Sequence, residues 1–133
     1  MKILYCWRCK QDRPMLDDDE WAVVLEAHRT APDDPDRALA VLERERVRRG
    51  LPPLARPAAD ASFTARRMWY LIAGYTLFTG VPEENPNAVW HHVASLYGPP
   101  CPHCGKPLRT PAARWCAACG EWRDGHAPAA RSA

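Results

Sequence analysis

Cys101-Pro102-His103-Cys104-Gly105 and Cys116-Ala117-Ala118-Cys119-Gly120 decide how this chain is read, and eleven residues separate the two Cys-x-x-Cys units. Two cysteines three apart can both point inward from one tight turn. Two such turns facing each other complete a tetrahedron of thiolates, an arrangement that suits zinc. A residue able to take positive φ is needed after each second cysteine, so that backbone N–H groups curl toward sulfur, and Gly105 and Gly120 supply it. The spacing therefore predicts a zinc site held by Cys101, Cys104, Cys116 and Cys119. The loop Lys106–Trp115 is long enough for a short β-hairpin between the turns, and Trp115 is placed to cover the metal. His103 lies between ligands and is not needed, because four thiolates saturate the ion.

The segment from Cys101 through Gly120 resembles the short double-knuckle zinc ribbons of bacterial and archaeal proteins, over about residues 100–122. The resemblance implies that all four cysteines ligate zinc. Disulfide pairing is the competing reading, and it belongs to secreted chains. The apolar stretch Ile3–Tyr5 is too short for a signal peptide and Arg8 follows it, so a reducing, cytoplasmic setting is expected. The abundance of Ala, Arg and Pro suggests a bacterial genome rich in G and C.

A chain of 133 residues makes one domain, or one domain with an appended module. No apolar run reaches transmembrane length, and Met68–Phe78 fits a buried helix. A net charge of +2 is too small to indicate a nucleic-acid partner by itself. Six tryptophans are many for this length, and tryptophan serves both cores and interfaces.

Helix punctuation organises the middle of the chain. Asp17, with Glu20 three residues on, forms a capping box, and the acidic run suits the helix dipole better than a metal. Trp21, Val24, Leu25 and His28 then share a buried face. A second helix starts at Asp34-Pro35, buries Leu39, Leu42 and Val47, and stops at Gly50. Its charged face, with Glu43, Arg44, Glu45 and Arg46, reads as solvated and salt-bridged. Leu51–Asp60 is a proline-rich linker or surface loop. The third helix spans about Ser62–Thr79, with Gly74 allowing close approach, and the fourth runs from Asn85-Pro86 to Gly98-Pro99. The expected fold is mainly α, a bundle of about four helices with a C-terminal zinc ribbon. The segments expected are an N-terminal Cys-x-x-Cys unit over 1–16, a helical domain over 17–98, the ribbon over 99–123 and a disordered tail over 124–133.

Cys6-Trp7-Arg8-Cys9 is a third Cys-x-x-Cys unit. One reading is a second metal site completed by histidine, with His92 or His91 favoured over His28. A plain pair of thiols and a redox dithiol are the others, although the βαβ setting of a redox motif is missing. Adjacent histidines on a helix point about 100° apart, so at most one of His91 and His92 should ligate.

No phosphate loop, nucleophile elbow or His-Glu-x-x-His motif occurs, and a closed four-thiolate zinc cannot activate water. The expectation is a non-enzymatic protein binding one or two zinc ions and acting through a protein partner, as an adaptor, regulator or antitoxin- or immunity-type inhibitor. Nucleic-acid binding through Lys106, Arg109, Arg114 and Arg123 is the alternative. A thiol oxidoreductase using Cys6 and Cys9 is the third.

Overall fold

A computed structural model describes residues 2–123, so the expected tail over 124–133 lies outside the described residues. The chain opens with an antiparallel hairpin, β1 (Lys2–Cys6) and β2 (Gln11–Met15), pairing Lys2 with Met15 and Cys6 with Gln11. Three helices follow: α1 (Asp18–Thr30), α2 (Pro35–Arg49) and α3 (Phe63–Thr79). A single turn, α4 (Pro86–Val89), and a 3-10 turn over Ala94–Leu96 lead into the C-terminal cysteines.

The helix boundaries follow from their caps. Asp17 accepts from the Glu20 N–H at 2.8 Å, and the Glu20 carboxylate accepts from the Asp17 N–H at 2.9 Å, closing the capping box. Asp34 caps α2, with Pro35 in its first turn, and Gly50 ends it in the left-handed region. Ser62 caps α3 through the Ala65 N–H at 3.1 Å.

Two adjoining clusters form the helical core. Leu16, Val24, Leu71, Tyr75, Phe78 and Val89 make the first, and Ala27, Val41, Leu42 and Ala73 the second. Tyr75 is fully buried, and its hydroxyl donates to the Pro14 carbonyl at 2.7 Å, which fastens α3 to β2. The face of α2 differs from the expectation. Ala38, Val41 and Leu42 are buried, whereas Val47 is 65 % exposed because it lies off the face that carries those three residues, while Arg49 at the same end reaches Glu20 of α1 and the Phe78 ring of α3.

The mainly helical expectation needs correcting at both ends. The molecule is a small mixed α/β protein, and its N-terminal Cys-x-x-Cys unit belongs to a two-stranded antiparallel sheet. The fourth helix stops after one turn. Trp90, His91, His92 and Val93 are mediocre helix formers, and Val93 is extended because it pairs with Leu16 in a parallel bridge. No hairpin spans the two C-terminal turns either. The described bridges there, Pro100–Pro107 and Trp115–Trp122, each flank a single Cys-x-x-Cys unit.

Gly74 lets α1 and α3 touch. A Cβ there would lie 2.7 Å from Val24 Cγ2 and 3.1 Å from Val24 Cγ1, and a β-branched side chain has little freedom to withdraw. Gly74→Ala should therefore destabilise the fold by about 1 kcal/mol net, with overpacking of roughly 1–3 kcal/mol exceeding the helix-propensity gain of about 1 kcal/mol. Chemical denaturation checks this; a stabilised variant would contradict the packing.

His28 is buried, with Nδ1 3.3 Å from the Arg67 carbonyl oxygen and its ring edge-on to Trp90. Burial lowers its pKa, against the opposing pull of the Arg67 carbonyl. The unfolded chain then binds the proton more readily than the folded one. His28 thus contributes stability that is present above its unfolded pKa, about 6.5, and is lost as pH falls through the lower folded value. The unfolding free energy should drop between about pH 7 and pH 5, and His28→Gln should flatten that drop relative to the parent chain. Urea midpoints across that range are the measurement.

Candidate metal centres

Three Cys-x-x-Cys units fold into the same turn. The N–H of the residue after the second cysteine donates to the carbonyl of the first in each: Lys10 to Cys6 at 2.7 Å, Gly105 to Cys101 at 2.9 Å, and Gly120 to Cys116 at 2.9 Å. The first cysteine also pairs with the residue five positions on, as Cys6 with Gln11, Cys101 with Lys106 and Cys116 with Glu121. All three turns need the left-handed region, with φ of 56° at Lys10, 80° at Gly105 and 79° at Gly120. Lys10 thus holds the conformation that the other turns give to glycine.

Cys101, Cys104, Cys116 and Cys119 bring their sulfurs within 4.8 Å of one another. The Cys101–Cys119 and Cys104–Cys116 separations are 3.7 and 3.6 Å. A disulfide needs about 2.05 Å between sulfurs, whereas a zinc tetrahedron with Zn–S near 2.3 Å has edges of about 3.8 Å. The cluster therefore fits zinc and not a pair of disulfides. The His103 N–H points at the Cys101 sulfur at 3.4 Å, while the exposed His103 ring is outside the ligand set. Leu108 is fully buried against Cys101 and Cys116. Trp115 is 47 % exposed, and its Nε1 donates to the Gly120 carbonyl at 2.9 Å, so it braces a turn rather than sealing the cluster.

Electrostatics make the cluster intolerant of its own ionisation. The Cys104 N–H, against the cost of burial and aided by the His103 N–H, brings the Cys101 thiol down to about 6. The Glu121 N–H favours ionised Cys119, but burial and the crowding of the Cys101, Cys116 and Cys104 sulfurs push it up to about 12. One thiolate forms readily and the next is resisted. A divalent cation at the centre inverts that order and allows all four to ionise.

The N-terminal cysteines meet a histidine. Sγ of Cys6, Sγ of Cys9 and a ring nitrogen of His92 lie within 4.8 Å of one another, with Cys9 Sγ 3.2 Å from His92 Nε2. Two backbone bonds deliver His92: the Leu16 N–H donates to the His92 carbonyl at 2.8 Å, and the Ala94 N–H to the Leu16 carbonyl at 2.8 Å. Burial, with the Arg13 guanidinium adding to it, lowers the His92 pKa to about 4, so the ring is in its neutral, ligating form at neutral pH. Burial opposes ionisation of Cys6, yet hydrogen bonds from the Tyr97 hydroxyl and the Cys9 and Arg8 N–H groups bring its pKa below the usual thiol value. Cys9 is raised, by burial first and then by the Cys6 sulfur beside it.

Of the sequence candidates, then, the structure brings Cys6 and Cys9 to His92. His91 is half-buried outside the cluster, and His28 serves the helical core. The residues missed were Tyr97, whose single hydroxyl proton is shared between the His91 carbonyl at 2.7 Å and the Cys6 sulfur at 3.4 Å, and the Arg13–Glu83 ion pair at 2.7 Å. Neither has a local signature, since Tyr97 is 91 positions from Cys6 and Glu83 is 70 from Arg13.

The two centres are neighbours through their turns. Trp7 Nε1 donates to the Pro107 carbonyl at 3.0 Å, Lys106 Nζ sits 4.1 Å over the Tyr5 ring, and the Arg109 guanidinium sits 5.5 Å over the Trp7 ring. Lys106 and Arg109 thus stack on the hairpin. No protein-family model, curated protein or solved structure gives a significant match to this chain.

The three turns make a paired prediction. Gly105→Ala and Gly120→Ala should each lose about 1 kcal/mol through the left-handed backbone alone, because a Cβ at either position meets nothing within 4 Å. Lys10→Gly should shift stability the opposite way. Denaturation of the zinc-loaded protein measures all three, and an alanine variant as stable as the parent would refute the strain.

Proposed function

We propose that this chain is a non-catalytic zinc-binding protein that works by engaging another protein. Zinc at the four cysteines is its structural element. The observation that carries this part is the sulfur cluster itself, whose separations match a zinc tetrahedron and whose four thiolates leave no position for a substrate.

The partner reading is supported by a groove of about 430 Å³ between the α1–α2 turn, the linker and α3. Leu39, Phe63, Trp69 and Tyr70 provide apolar lining, and Phe63 is 69 % exposed, so that lining is open to solvent. Arg56, Arg66 and Arg67 also line the groove, and no acidic residue does. None of the three makes an ion pair with a described acidic residue. Arg66 is engaged instead with the Ala59 carbonyl. Apolar lining with three arginines and no acidic residue among the lining suits an acidic segment carrying aliphatic or aromatic anchors.

The test uses the zinc-loaded chain and a fluorescein-labelled peptide of alternating glutamate and leucine. Saturable binding by anisotropy is expected, weakened at least about fivefold by Phe63→Ala and by Arg67→Glu. Both side chains are exposed, so zinc content and fold should not change. Absence of saturable binding, or binding by both variants as tight as by the parent chain, overturns the reading. Steeply salt-dependent binding of single-stranded RNA or DNA in its place would transfer the function to nucleic acid.

A further inference from the structure

The Cys6–Cys9–His92 cluster differs from the ribbon cluster in one chemical respect. The ribbon supplies four ligand atoms, and this one supplies three. Among the described residues no fourth histidine, cysteine or carboxylate reaches it. The Tyr97 hydroxyl does approach, 3.4 Å from the Cys6 sulfur, but it donates at 2.7 Å to the His91 carbonyl. The phenol's one proton is shared between that carbonyl and the Cys6 sulfur, which keeps it protonated beside the sulfur, a supporting position of the kind that steadies metal ligands.

Several observations mark the three residues as a built site. Cys6 and His92 are fully buried, while Cys9 keeps partial exposure, so the cluster has a solvent-facing side. The cysteines sit on the same turn that presents the ribbon thiolates, hydrogen bond for hydrogen bond. That turn places Lys10 at a φ of 56°, a conformation lysine rarely adopts. His92 Nδ1 is buried with no hydrogen-bond partner, and Nε2 has only the Cys9 sulfur, 3.2 Å away. A metal bond at Nε2 gives the nitrogen that faces the cysteines a strong partner and places the ring proton on Nδ1. The 3.2 Å separation is close to the S···N edge of about 3.5 Å expected for a tetrahedral zinc with one thiolate and one imidazole along it.

We propose that Cys6, Cys9 and His92 bind a second zinc ion whose fourth coordination position is left to an exchangeable ligand from solvent, a water molecule or a small donor such as azide. Three protein ligands with one open position is the pattern of zinc sites that handle small molecules, whereas structural sites are closed. The centre goes beyond the groove-mediated role and does not depend on it. The neighbouring Arg13–Glu83 pair brings one charge of each sign, so two thiolates remain the main counter-charge to the ion.

Native mass spectrometry of the full chain should find two zinc ions, falling to one in His92→Ala and in Cys9→Ser. The cobalt-substituted protein should then change its visible d–d bands when azide is added. Either variant, which keeps cobalt only at the ribbon, should not respond. Cys9 is partly exposed, so Cys9→Ser serves where His92→Ala disturbs folding. A single zinc in the parent chain overturns the second site. Two zinc ions with cobalt bands that azide leaves unmoved would mean a closed fourth position, with Tyr97 or another group of the chain in it, and would overturn the exchangeable ligand.

Discussion

Leu16 and Val93 share a two-bond parallel bridge, and most of the functional geometry depends on it. The bridge joins the end of the N-terminal hairpin to the strand-like link before the ribbon, 77 positions later by their numbers, 93 − 16. It holds Val93 extended, which ends the fourth helix after one turn. It also places His92, one residue earlier, against Cys6 and Cys9. Leu16 is itself a fully buried member of the helical core, so the bridge is backed by packing from α1 and α3. Without it, the two thiols and the imidazole would have no common location.

The close approach of the C-terminal cysteine turns rests on a second contact. The Gly98 N–H donates to the Leu108 carbonyl at 2.8 Å, and the Leu108 N–H donates back to the Pro99 carbonyl at 3.0 Å. A Cβ on Gly98 would stand 2.3 Å from the Thr110 carbonyl oxygen, so no larger residue fits that crossing. With Trp7 bound to Pro107, the C-terminal cysteine turns are held by the hairpin and by residues 97–99 together.

One turn, used three times, supplies six sulfurs to two centres that differ in what completes them. Where two turns face each other the ligand set is all thiolate. Where one turn faces a buried histidine the cluster is mixed and offers three ligand atoms among the described residues. The difference arises from pairing, since the turns themselves are alike in hydrogen bonding. Cation–π contacts from Lys106 and Arg109 to Tyr5 and Trp7 hold the centres side by side. They also occupy two of the basic residues that had suggested a nucleic-acid surface.

Local chemistry is what the sequence determined alone. The caps at Asp17, Asp34 and Ser62, the stops at Gly50 and Gly80, and the thiol pairs with their glycines depend on residues within five positions of each other, so spacing carries them. The choice of His92 over His91 was beyond its reach, because it depends on which residue follows the backbone into the Leu16 bridge. The burial of Val41 in place of Val47, the sulfur-bound Tyr97 and the Arg13–Glu83 pair were likewise decided by tertiary structure. Each requires two segments far apart in the chain to meet, and only packing of the complete core brings them together.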